Sequence, residues 1–119
     1  MKAKNIVLDF YQPDVMLDLD ALKQFIHPEI IIDWNSRKGF IQMNYDDVLK
    51  LSEELKKSYV RSKMRISHIV HEKNVVSVRY SHFVKTIENP SEEMLLANFM
   101  VIWEVKDDKL FRGFQMSQF

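Results

Sequence analysis

The stretch MRISHIVHEKNVVSVRYSHFVK, residues 64–85, decides the fold class. Met64, Ile66 and Val70 recur on one face with His68, while Arg65, Ser67 and His71 take the other. Val76, Val78, Tyr80 and Val84 recur in the same way with His82. A period of two is that of a strand covered on one side. The polar residues HEKN, 71–74, separate the two runs, so the segment reads as a β-hairpin.

Toward the C-terminus, ENPSEE and KDDK mark turns on either side of a strand at 94–106, and 109–118 is the closing strand. Strand 94–106 is apolar on both faces, because Met100 and Ile102 alternate with Phe99, Val101, Trp103 and Val105. Such a strand is covered on both sides. Toward the N-terminus the period is helical. Ile6, Val7, Phe10 and Tyr11 predict a short helix over 3–12, ended by Pro13. A second helix, capped by Asp18 and carrying Leu19, Leu22, Phe25 and Ile26, is expected to run to His27, before Pro28. At that helix end the His27 ring is expected to serve the last carbonyls. A strand at 29–35 and a turn, NSRKG, lead to a third helix capped by Asn44, with Val48, Leu51, Leu55 and Tyr59 on its buried stripe. Helices covering one face of a curved antiparallel sheet make an α+β domain, expected to be a single one over residues 1–119. The opposite sheet face has no helix of its own, and Phe99, Val101 and Trp103 are expected to point toward it, which predicts a homodimer formed sheet to sheet.

Composition narrows the function. Seventeen basic and seventeen acidic residues cancel without long runs of either sign, so no nucleic-acid surface is expected. Cysteine is absent, which excludes disulfides, thiolate metal sites and a cysteine nucleophile. The two glycines, Gly39 and Gly113, are too few for a glycine-rich phosphate cradle. Charges interrupt the N-terminal segment before a signal-peptide core can form, and no apolar run reaches membrane length, so a cytoplasmic protein with no membrane partner is expected.

DLDALKQFIHPEIIIDW, residues 18–34, and FMVIWEVKDDKLFRGFQM, residues 99–116, resemble the nuclear transport factor 2-like superfamily, and within it the SnoaL-like, ketosteroid-isomerase-like proteins. The carrying elements are Asp18-Leu19-Asp20-Ala21-Leu22, His27-Pro28-Glu29, the late apolar strand and Lys109-Leu110. The resemblance implies a cystatin-like cone with an apolar pocket between the concave sheet face and the helices, and frequent dimerisation through the sheet. Its isomerase branch implies a carboxylate base on the first strand, with a tyrosine and a late aspartate as oxyanion donors. Those positions fall on Trp34, Phe10 and Met100 here, so that chemistry is not expected. Asp33, beside Trp34, alternates to the other face with Ile31.

The pocket face is expected to carry Trp34, His68, Tyr80, His82, Asn98, Met100, Phe111 and Gln115, with Tyr11 nearby. A small hydrophobic ligand is expected, held by Trp34, His68, Asn98, Met100, Phe111, Gln115 and Tyr11. His82 and Tyr80 are the candidate catalytic pair, since imidazole titrates near neutral pH and a phenol donates a hydrogen bond. The competing reading is a core histidine satisfied by its neighbours. His68 and His71 face opposite sides, and His82 meeting His68 would still lack a carboxylate, so neither a metal nor a cofactor is expected.

Overall fold

The computed structural model describes residues 2–118. Helix α1 (Lys2–Phe10) turns Ala3, Val7 and Phe10 inward at helical spacing. A 3-10 turn (Val15–Leu17) leads into α2 (Leu19–Phe25), where the Asp18 carboxylate accepts the Ala21 N–H at 3.2 Å. This helix stops short of His27. Pro28 holds His27 extended, and Ile26 already pairs with Leu110, so strand β1 (Ile26–Ser36) begins there. After the turn, Gly39 at φ +109° opens β2 (Gly39–Met43), a hairpin partner of β1 that alternation did not reveal.

Helix α3 (Tyr45–Ser58) opens with a capping box: Asn44 Oδ1 accepts the Asp47 N–H and Asp47 Oδ2 accepts the Asn44 N–H, both at 3.0 Å. Ser52 on its buried side donates to the Met16 carbonyl at 2.6 Å, tying α3 to the 3-10 turn. Strands β3 (Tyr59–Glu72), β4 (Val75–Thr86), β5 (Glu93–Lys106) and β6 (Lys109–Gln118) follow as an antiparallel meander.

The sheet order is β2-β1-β6-β5-β4-β3. Strand β1 lies parallel to β6, so the sheet is mixed and not antiparallel throughout. The chain is an α+β cone, a curved sheet closed on its concave side by the helices. No helix among the described residues is long and apolar enough to cross a membrane.

Strand β5 corrects the expected faces. Ala97, Phe99, Val101, Trp103 and Val105 are all buried on the concave side, whereas Asn98, Met100 and Ile102 face outward. Two contacts set this parity. Trp103 pairs with Gly113, whose missing side chain leaves room for the indole, and Trp103 Nε1 donates to the Tyr11 hydroxyl at 2.9 Å. Phe99, Val101 and Trp103 therefore belong to the core and cannot form an exposed dimer face.

Two bulges re-aim further side chains. In β3 the register slips between Ile66 and His68, which brings Ile69 inward and leaves His68 exposed beside Ser67. In β6 the slip between the partners of Glu104 and Val105 leaves Phe111 out of the inward series Leu110, Gly113, Gln115.

Candidate functional site

Between the concave face and the helices lies a cavity of about 380 Å³. Phe10 and Tyr11 from the end of α1 and Val48, Leu51 and Leu55 from α3 form its helical wall. The sheet contributes Ile32, Trp34, Met64, Tyr80, His82, Ala97, Phe99 and Gln115. These positions follow from alternation: Ile30, Ile32 and Trp34 share the inner face of β1, as do Tyr80 and His82 on β4.

Aromatic rings line much of this space. Tyr80 stacks on its cross-strand partner Phe99 with ring centroids 5.0 Å apart, and Tyr11 lies 4.5 Å from Tyr80. Phe10 meets Trp103 edge-on at 5.8 Å. The indole N–H groups are already engaged, Trp34 with Ser117 Oγ at 2.8 Å and Trp103 with Tyr11.

Three ionisable groups in the cavity are displaced from their ordinary pKa values by burial. Tyr11 is raised by desolvation, which its hydrogen bond from Trp103 only partly offsets. Tyr80 is raised well above the usual phenol range, by burial first and by the adjoining Tyr11 phenol second. Both phenols therefore stay protonated at neutral pH. His82 is pushed down to about 4 by desolvation, so its ring is neutral at neutral pH. Its Nε2 lies 2.7 Å from the hydroxyl of Ser62, itself buried.

Of the residues expected from the sequence, Tyr11, Trp34, Tyr80, His82 and Gln115 line the cavity together. His68, Asn98, Met100 and Phe111 do not. The β3 bulge turns His68 to solvent and away from His82. Asn98 accepts from Ser81 Oγ at 2.6 Å on the outer face, where Met100 is also exposed. Phe111 packs against the His27 ring at 4.9 Å and under the Arg112 guanidinium.

His27 lies in β1 and not at a helix end. Its Nδ1 accepts the Glu29 N–H at 3.0 Å, so Nε2 donates to Asp107 at 3.2 Å. Asp33 faces away from the cavity and accepts from Gln42 at 2.9 Å. With β5 in its observed parity, the residues turned inward from the late strand still include no acid. Among the described residues, no three histidine, aspartate or glutamate side chains gather as a metal site would need.

Sequence reasoning missed Ser62, Phe99 and Trp103 as neighbours of the cavity. Counting back across the KDDK turn from Lys106 and Lys109 sets Arg112 opposite Trp103; only the register shift at Glu104/Val105 brings Gly113 to the indole, so the sequence held no plain signal for it.

No family model matches the sequence, and no curated protein matches it by sequence. Solved structures do match. IdmH from Streptomyces antibioticus, a candidate polyketide cyclase, superposes with a TM-score of 0.76 over 98% of this chain and 92% of its own, at 13% identity. A nuclear transport factor 2-like protein of unknown function from Burkholderia pseudomallei gives a TM-score of 0.68 over 97% of this chain and 89% of its own, at 11% identity. The chain has the nuclear transport factor 2-like fold. An epoxide hydrolase from M. tuberculosis, similar to LEH, shares the fold with a TM-score of 0.73 over 98% of this chain and 82% of its own, at 12% identity. A nuclear transport factor 2-like cone thus carries differently described proteins, and identities this low speak for the fold alone.

Proposed function

We propose that the chain forms one small-molecule-binding domain, with the apolar cavity as its site and a small hydrophobic compound as its ligand. The observation that supports this most is a volume of about 380 Å³, walled mostly by aliphatic and aromatic side chains, with Tyr11, Tyr59, Tyr80, His82 and Gln115 as its few neutral polar groups and Lys38 as its one charged residue. That combination characterises sites in which apolar contact supplies affinity and sparse polar groups orient the ligand. Trp34 is the flat wall. The volume suits a compact cyclic molecule, and the reading needs no cofactor. A thermal-shift screen of hydrophobic cyclic compounds tests it: a hit should raise Tm with concentration, and a screen in which no compound does so counts against the site.

A catalytic reading stands second, as an isomerase, cyclase or hydrolase with His82 as acid/base and Tyr80 as donor. Their presence in one cavity favours it. The lowered basicity of His82 and the lack of a carboxylate among the lining residues weigh against it. It requires that His82→Ala abolish turnover while the fold survives.

A homodimer, placed on the outer sheet face, is the third element. Met100 pairs in register with Met116 and Ile102 with Phe114, so four exposed apolar side chains form one block. The cysteine-free composition is compatible with a cytoplasmic setting.

A further inference from the structure

We propose that the Ser62 hydroxyl fixes His82 as its Nδ1–H tautomer, so that the imidazole presents a hydrogen-bond donor to the cavity and selects apolar ligands bearing a neutral acceptor oxygen, such as a ketone or an ether. The ligand half rests on the binding site proposed above.

The buried pair has one proton to share and one acceptor for it. Ser62 and His82 are 3% and 5% exposed, and a single hydrogen lies between Oγ and Nε2, 2.7 Å apart. If Nε2 donated, the serine would need a second acceptor for its own proton. Among the described residues Oγ has no partner other than His82. A buried hydroxyl proton without an acceptor is strongly disfavoured, so Oγ donates and Nε2 accepts. A neutral imidazole carries one N–H, which then sits on Nδ1.

Ser62 is itself held firmly. Its N–H donates to Asp14 Oδ1 at 2.8 Å, and its carbonyl accepts the Asp14 N–H at 2.8 Å. Asp14 can make both contacts from the left-handed region, at φ 66°. The hydroxyl is thereby presented to the ring from a fixed backbone.

Nδ1 is the nitrogen left for a ligand. It has no protein partner among the described residues, yet no buried side-chain nitrogen or oxygen there lacks one. Nδ1 must therefore reach accessible space, and the space that His82 borders is the cavity. The surroundings agree in sign. Tyr11 and Tyr80 keep their protons, the one charged lining residue, Lys38, is a donor, and no carboxylate lines the cavity. A ligand that accepts is complementary to this set, and a neutral one avoids bringing charge into an apolar wall.

Long-range ¹H–¹⁵N NMR of the imidazole in the wild-type protein near pH 7 tests the tautomer. Nδ1 should resonate as the protonated, pyrrole-type nitrogen and Nε2 as the pyridine-type one; the reverse assignment overturns the proposal. In Ser62→Ala, Nε2 is released and the tautomer should shift toward Nε2–H. The wild-type spectrum decides the matter even if that variant is unstable.

The ligand half is read by titrating cyclohexanone against methylenecyclohexane, which replaces the oxygen by CH₂. The ketone should bind more tightly by roughly three- to tenfold, the size of one net hydrogen bond, and Ser62→Ala should narrow that gap. Equal binding of the two probes overturns the donor assignment and leaves the binding site standing. Binding of neither removes the site and the ligand half together, while the NMR still judges the tautomer.

Discussion

The six-membered ring of the Trp103 indole lies directly on Gly113: a Cβ added there would meet Trp103 Cζ3 at 2.6 Å. This contact sets which face of β5 looks into the cone. Gly113→Ala should therefore destabilise the protein by about 1–3 kcal/mol, the usual cost of overpacking a filled core. Urea denaturation measures it, and Trp103→Phe, combined with Gly113→Ala, should recover part of the loss. An unchanged urea midpoint in Gly113→Ala contradicts the packing described.

His82 predicts a pH dependence of stability. Its folded pKa, about 4, lies below the ordinary 6.5, so between those values the unfolded chain binds more protons than the folded one. Stability is complete above about pH 6.5 and falls toward pH 4, by up to about 3 kcal/mol in total. Carboxylates also titrate in the lower part of that window. The difference between wild type and His82→Gln in urea midpoint against pH isolates the histidine, and parallel curves contradict its burial as a neutral ring.

The reciprocal cap of Asn44 and Asp47 starts the helix that walls the cavity. Asn44→Ala should cost about 1 kcal/mol, and Asn44→Ser should retain most of the stability. Equal losses in the two variants, compared by thermal unfolding, mean that the cap contributes nothing specific.

The exposed block on β5 and β6 predicts self-association. Light scattering should find twice the 14.3 kDa chain mass at micromolar concentration. Met100→Lys combined with Phe114→Lys should return the single-chain mass with stability nearly unchanged, since both side chains are exposed. A wild type that already scatters as one chain removes the dimer.

Much of the scaffold was legible because most elements carry one unambiguous period. Val7 and Phe10 on α1, the Asn44 cap, and Val76, Val78, Tyr80 and His82 on β4 all stand where their patterns put them. Strand β5 was not legible by that route. With Phe99, Val101 and Trp103 alternating with Met100 and Ile102, hydrophobicity alone leaves its parity open, and the register to Gly113 decides it. Bulges hid the rest: alternation carries no signal of the inserted residue that turns out His68 or sets Phe111 beside His27. Strand β2 was short and mostly exposed, so no covered face marked it. Ser62 lay on the expected inner parity of β3, but a lone serine there draws no attention until the hairpin register brings it to His82.

The binding site is the central claim, and the protein supplies its own reporter, because both of its tryptophans, Trp34 and Trp103, line the cavity. Titration with cyclohexanone, followed by tryptophan emission, should give a saturable change in wild type. The change should weaken in Ala97→Leu, which fills part of the cavity and should still unfold cooperatively. No saturable change in wild type, or an identical titration in Ala97→Leu, contradicts the claim.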